Sequence, residues 1–313
     1  MSHHVTILLP TYNGAAYLDE QVRSILEQTY TDWSLMIRDD GSTDGTPELL
    51  ARYAAEHPRI SVIDVGGPNI GVKRSVERLL ETAESDYYML CDQDDVWLPT
   101  KVATVVERAD AEPSGLPLLV YTDLFVVDGD LTPRVDAMHG GAGRTELGHL
   151  LVENTVTGCT TLLNKALRDA LVGHGHFASP DMVMHDWWIA LVAAALGKVV
   201  FVPASTILYR QHGENTVGAP GRRAGLRRLL HLEENLESVR APLRQGLLLQ
   251  RELGPLLADD AAATVRDWVA MPSASLPRRV RALRRGRFAT NALVRTVNLY
   301  ALLLLFPRRL RVS

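Results

Sequence analysis

Short apolar runs alternate with amphipathic stretches through the first two hundred residues. Residues 5–9 are continuously apolar and end at Pro10, as in a strand buried on both faces. Leu18, Val22, Ile25 and Leu26 then recur at helical spacing within residues 17–28. Residues 33–38 read as a second strand, 46–56 as a helix and 60–65 as a third strand. Val72, Val76, Leu79 and Leu80 place one apolar face on a helix over 71–83, and 86–90 follow as a fourth strand. Short Gly, Asn and Asp turns separate these segments. The alternation predicts an α/β fold, a mostly parallel sheet with helices on both faces. Ligands of such sheets sit outside the carboxyl ends of the strands. The sequence gathers its polar residues there.

The second half is less regular. Strands are expected at 118–121, 124–127, 155–163 (interrupted by Gly158) and 199–202, with an apolar helix over 186–196. After about Gly218 the pattern is helical, with Leu-rich segments at 226–239 and 243–257. Pro272 and Pro277 then precede an arginine-rich tail. The expected division is a catalytic domain over 1–216 and a helical region over 217–313.

Apolar residues make up 46% of the 313 and charged residues 22%, which excludes a disordered or collagen-like chain. Two cysteines, Cys91 and Cys159, exclude a Cys-rich zinc site or a disulfide framework. The net charge of −4 hides an asymmetry. Residues 278–313 hold ten arginines and no acid, so the other 277 residues carry 23 basic against 37 acidic side chains. A basic tail on an acidic body points away from nucleic acid and toward a membrane surface or a partner. No basic region followed by a long apolar one opens the chain, so no signal peptide is expected. The apolar run at 299–306 is too short to span a bilayer. The expected location is cytoplasmic, with the tail at the inner face of the plasma membrane.

Four polar clusters carry candidate chemistry. Arg38-Asp39-Asp40-Gly41-Ser42-Thr43-Asp44-Gly45-Thr46 follows a strand. It is either a turn with a helix cap or a carboxylate site for the base or ribose of a nucleotide. No Gly-rich phosphate loop is present. Cys91-Asp92-Gln93-Asp94-Asp95-Val96-Trp97 also follows a strand. In an extended chain Asp92 and Asp94 point to one side, where they suit Mg²⁺ or Mn²⁺ beside phosphates. Met184-His185-Asp186-Trp187-Trp188 opens a helix. Asp186 there either complements the helix end or serves as a general base. Tyr209-Arg210-Gln211-His212 follows a strand, where Arg210 suits a diphosphate and His212 a metal.

Leu9-Pro10-Thr11-Tyr12-Asn13-Gly14 and these clusters occur in an order that resembles the family 2 glycosyltransferases with the GT-A fold. Cys-Asp-Gln-Asp-Asp-Val-Trp and His-Asp-Trp-Trp look most like the bacterial rhamnosyltransferase branch. The resemblance covers roughly residues 5–216. It implies an inverting, metal-dependent transferase acting on a hydroxyl of a surface-polysaccharide or lipid-linked acceptor. The implied donor is dTDP-rhamnose. Thr11, Tyr12, Asn13, Asp39, Asp40 and Asp92 are implied at the nucleotide, Asp94 and His212 at the metal, and Arg210 at the diphosphate. Asp186 is implied as the base, and Gly158, Cys159 and Trp187 at the acceptor. His185 stands where many members have a carboxylate.

Two other readings compete. A nucleotidyltransferase also uses paired acids and Mg²⁺, but its basic phosphate loop has no counterpart, since residues 9–16 hold no Arg or Lys. A non-catalytic scaffold docking a membrane complex is disfavoured by the intact acids. Partners expected beside donor and acceptor are a membrane surface and a second copy, with no nucleic acid.

Overall fold

A computed structural model describes residues 3–113, 115–174, 177–211 and 232–312. His212 lies outside them. The described residues fall into two compact units, one from 1–143, 156–178 and 199–216, the other from 144–155, 179–198 and 217–313.

The first unit is built on a nine-stranded sheet. β1 (Val5–Thr11), β2 (Trp33–Asp39), β3 (Ile60–Ile63) and β4 (Tyr87–Leu90) are mutually parallel, in the order β3-β2-β1-β4. The helices linking them are α1 (Leu18–Leu26), α2 (Thr46–Glu56) and α3 (Val72–Thr82). This half agrees with the apolar pattern. β1 is buried almost throughout, and its VTILLPT run is what a central parallel strand requires. Leu18, Val22 and Ile25 of α1 are all buried against the sheet, together with Val5, Ile7 and Leu9.

Beyond β4 the sheet turns antiparallel. β8 (Thr161–Asn164) pairs with β4 and with β6 (Leu118–Val127), and the short β5 (Val96–Trp97) pairs with β9 (Lys198–Arg210). β7 (Pro133–Val135) adds to β6. Three expectations change here. The two strands expected at 118–121 and 124–127 are one, because Thr122 and Asp123 are buried with partners. The Thr122 hydroxyl meets that of Thr206 at 2.7 Å, and Asp123 accepts from the amides of Leu124 and His139. The strand expected over 155–163 begins only at Thr161, after a 3-10 turn over Gly158–Thr160. The strand expected at 199–202 runs on to Arg210. Helices α4 (Lys101–Asp110) and α6 (Lys165–Gly173) complete this unit.

The second unit is helical: α5 (Leu147–Leu150), α7 (His185–Leu196), α8 (Leu232–Leu253), α9 (Asp259–Val269), α10 (Leu276–Gly286) and α11 (Leu293–Leu305). α8 passes through Pro242, joining two segments read apart in the sequence. The Trp268 indole donates to the Pro242 carbonyl at 3.2 Å, and its ring lies 5.2 Å from that of Phe288. Among the described residues, no helix is long and apolar enough to cross a membrane.

Candidate functional site

The strand order reverses between β1 and β4, and the loops that leave their carboxyl ends meet there. Gln93 joins them. Its Oε1 accepts from the Tyr12 amide at 2.8 Å and its Nε2 donates to the Tyr12 carbonyl at 3.0 Å. A Cβ at position 14 would sit 2.4 Å from Gln93 Oε1, so the clip requires glycine there. Tyr12 itself is 50% exposed, an aromatic face open at the crevice.

The loop after β2 is stitched to the same place. Thr11, buried at the end of β1, donates its hydroxyl to Asp39 at 3.0 Å, and Asp39 also accepts from the Ser42 amide at 2.9 Å. Asn13 adopts a left-handed backbone, φ 48°, stabilised on both sides. Its amide donates to Ser42 Oγ and its side-chain carbonyl accepts from the Thr43 amide. The Gly14 and Ala15 amides donate to Thr46 Oγ1 and Asp44. Burial opposes ionisation of Asp44, but its bonds from Thr46 and Ala15 prevail and hold its carboxyl below the usual range. Asp40 is buried. It accepts from Arg38 at 2.6 Å, from the Ile70 amide at 2.7 Å and from the Gly71 amide at 2.8 Å. Arg38 is itself buried and reaches Ser75 at 2.8 Å.

The acidic loop bends at residues 93–94, so its carboxylates do not follow strand alternation. Asp92 is grouped with Asp95 and Cys159, their ligand atoms lying within 4.8 Å of one another. Asp92 and Asp94 are partly exposed, whereas Asp95 is fully buried. Burial, then the charges of Asp92 and Asp94, push the Asp95 carboxyl well up. The Cys91 and Cys159 thiols are pushed up by burial as well. One oxygen of Asp95 takes the Arg210 amide at 3.0 Å; the other has no hydrogen-bond donor among the described residues. Two carboxylates beside a thiol, with an orphaned buried oxygen among them, suit a divalent cation.

Gly158 and Cys159 form the buried start of the 3-10 turn, with the thiol close to the Asp92 and Asp95 carboxylates. Arg210 was expected to reach a diphosphate with its guanidinium. In this structure it is 3% exposed and donates to the Asp94 carbonyl at 2.8 Å, to the Gly129 carbonyl and to Glu20. It also lies over the Tyr17 ring at 4.8 Å. A direct phosphate contact requires it to leave these partners.

Several supports carry no motif signal. Ser24, on the inner face of α1, and Gln28, two residues past its end, are buried polar residues. Ser24 accepts from the Trp97 amide at 3.0 Å, and Gln28 bonds the Leu98 carbonyl and the Val102 amide. Lys101 is fully buried over the Trp97 ring, 4.8 Å from its centroid, with no hydrogen-bond acceptor for its ammonium among the described residues. A buried polar residue on an apolar helix face is the available sequence signal for such supports.

Asp186 and Trp187 lie in the second unit, in the first turn of α7. Met184 occupies the cap position, and Asp186 accepts from the Trp187 amide at 2.6 Å. The Trp187 indole donates to the Leu150 carbonyl at 2.6 Å. Both residues are partly exposed, and His185 beside them is buried.

The model of the family described as "Glycosyl transferase family 2" matches residues 6–171, more than half of the chain. The chain belongs to glycosyl transferase family 2. Among its relatives, the dTDP-rhamnosyl transferase RfbG of Shigella flexneri is 27% identical over 228 residues, 67% of this chain and 74% of that protein. Relatives from Bacillus subtilis and Mycobacterium bovis are matched over only 61% and 59% of their own lengths. The S. aureus TarS 1-349 structure in complex with UDP superimposes with a TM-score of 0.55 at 13% identity, over 95% of this chain and 86% of that one. A mannosyltransferase from Pyrobaculum calidifontis in complex with GDP-Man and Mn²⁺ gives 0.52 at 18% identity, over 97% and 85%. The fold is the GT-A fold, and this family 2 member is a glycosyltransferase.

Proposed function

We propose that this family 2 member transfers a sugar, with inversion, from a nucleoside diphosphate donor to a hydroxyl of a surface-polysaccharide or lipid-linked acceptor. The observation that carries the reading is the convergence of the β1, β2 and β4 loops at the point where the strand order reverses. Tyr12 offers an exposed ring for a base to stack on, with Thr11, Asn13, Asp39 and Asp40 framing the nucleoside end and Asp92 the ribose. Rhamnose from dTDP-rhamnose is the proposed donor, supported by the Shigella relative.

The metal site is proposed at Asp94 and His212, the latter outside the described residues, with Asp92, Asp95 and Cys159 as further donors grouped among the described ones. A bound Mg²⁺ or Mn²⁺ supplies positive charge to the leaving diphosphate. Arg210 serves the diphosphate end by holding the backbone of the acidic loop. Asp186 takes the proton of the acceptor hydroxyl as its oxygen attacks the sugar carbon opposite the leaving group. Trp187 excludes water there, and Gly158 and Cys159 border the acceptor side. The same reading places the chain at the inner face of the plasma membrane, with a homodimer as a second use of its helical region.

The test is a panel of nucleotide sugars scored for transfer and hydrolysis. dTDP-rhamnose should turn over fastest, and Asp186→Asn should lower transfer by about 10²- to 10⁴-fold with the melting temperature kept. Near-normal transfer by Asp186→Asn would remove it as the base. Release of diphosphate from a nucleoside triphosphate and a sugar phosphate would instead indicate a nucleotidyltransferase.

A further inference from the structure

A helix on the surface of a globular unit normally turns a polar face outward. α11 does not. Its inward face is Leu299, Leu302 and Leu303, all buried. Its outward face is also apolar: Leu293 is 79% exposed, Val294 61%, Val297 60% and Leu305 71%. At about 100° per residue, Tyr300, Ala301 and Leu304 fall in the same arc, and each is partly exposed. No charged residue interrupts the arc. The only charged residue of the helix, Arg295, points elsewhere and pairs with Glu153 at 2.7 Å.

Exposed cations stand before and after this stripe in the sequence. Arg278, Arg281, Arg284, Arg285 and Arg287 are exposed on and just after α10, as are Arg308 and Arg311 after α11. Arg279, by contrast, is buried and donates to the Leu303 and Leu304 carbonyls at 2.7 and 3.1 Å, which ties α10 to α11. The apolar face of α11 and the exposed arginines of α10 therefore belong to two joined helices of one unit.

We propose that the outer face of α11 and the flanking arginines form a docking surface for an anionic phospholipid bilayer, with α11 lying in the interface. Charge complementarity selects the lipid over a second copy. Residues 278–313 hold no acid, so two copies meeting here would set arginine against arginine. An anionic bilayer offers both the negative headgroups and an apolar layer shallow enough for one helix face. Thirteen residues lie along such a surface but do not span it. Leu302 and Leu303 face inside the unit, and the outward apolar residues begin at Leu293. This surface rests on the proposed function only for the membrane location and on none of its catalytic assignments.

Flotation of the full chain with vesicles tests it. With about 30% phosphatidylglycerol in phosphatidylcholine the protein should float. Binding should fall about tenfold or more on pure phosphatidylcholine, and likewise between about 0.1 and about 0.5 M salt. Val297→Glu/Leu305→Glu and, separately, Arg281→Glu/Arg284→Glu/Arg285→Glu should each lose about tenfold or more, with melting and donor hydrolysis unchanged. If the first pair fails to fold, Val297→Ser/Leu305→Ser carries the same comparison. Flotation that survives both sets of changes would overturn the proposal. So would a wild-type chain that hydrolyses donor yet never floats, or a dimer that Val297→Glu/Leu305→Glu dissolves without any flotation. Loss of donor hydrolysis with flotation intact would instead count against the catalytic reading alone.

Discussion

Gln93 shows how much a single side chain carries here. It stands inside the acidic motif yet adds no charge, and it holds the β1 loop to the β4 loop through both its amide atoms. Gly14→Ala would drive a methyl into Gln93 Oε1. The clashing atom is the far end of a flexible side chain, so the fold should survive, at a cost of about 1 kcal/mol for the lost bonds. The Tyr12 loop would lose its tether, and the donor KM should rise about tenfold, a change of roughly 1.4 kcal/mol. An unchanged KM in Gly14→Ala would show that the clip does not shape the donor site. The charged members of the motif were legible in the sequence because their chemistry is unusual at a strand end. Gln93 was not, because its value lies in one backbone position 81 residues away.

The elements divide by how locally they are specified. β1 to β4 and the helices between them were readable because each is an apolar run or an apolar face bounded by turn residues. β6 was read as two strands because Thr122 and Asp123 look like a break, yet their partners come from Thr206 and His139. α8 was read as two helices because Pro242 looks like a stop, and the Trp268 indole meets the carbonyl there. α4 opens with a charge that no pattern would place inside. Burial, opposed by the thiols and carboxylates nearby, brings the Lys101 ammonium down to about 8 from the usual 10.5. Below pH 8 the folded chain keeps this proton at a cost. Between about 8 and 10.5 the unfolded chain binds more of it, so stability rises with pH through that window. Urea unfolding of wild type and Lys101→Met should show the wild type gaining about 3 kcal/mol relative to the variant from pH 7 to 11. A flat or falling difference would contradict the buried ammonium.

At the scale of the whole molecule, the charge asymmetry of the sequence acquires locations. Asp39, Asp40, Asp92, Asp94 and Asp95 gather around the end of β1 and β4 in the first unit, while the arginines of 278–313 belong to the second. The two units are not consecutive in the chain, and the second takes in 144–155 and 179–198 along with 217–313. Asp186 is thus part of the helical unit although it stands within 1–216, the stretch expected as the catalytic domain. Periodicity reports what each segment is, and long-range contacts decide which segments pack as one body. Metal-assisted sugar transfer at the acidic loop is the proposed activity. It is tested most directly by the rate of dTDP-rhamnose turnover with Mn²⁺, with Mg²⁺ and in EDTA, for wild type and Asp94→Ala. The expected result is metal-dependent turnover in wild type, lowered about 10²-fold or more by EDTA and by Asp94→Ala, with both proteins melting alike. Turnover undiminished by EDTA and by Asp94→Ala would contradict it.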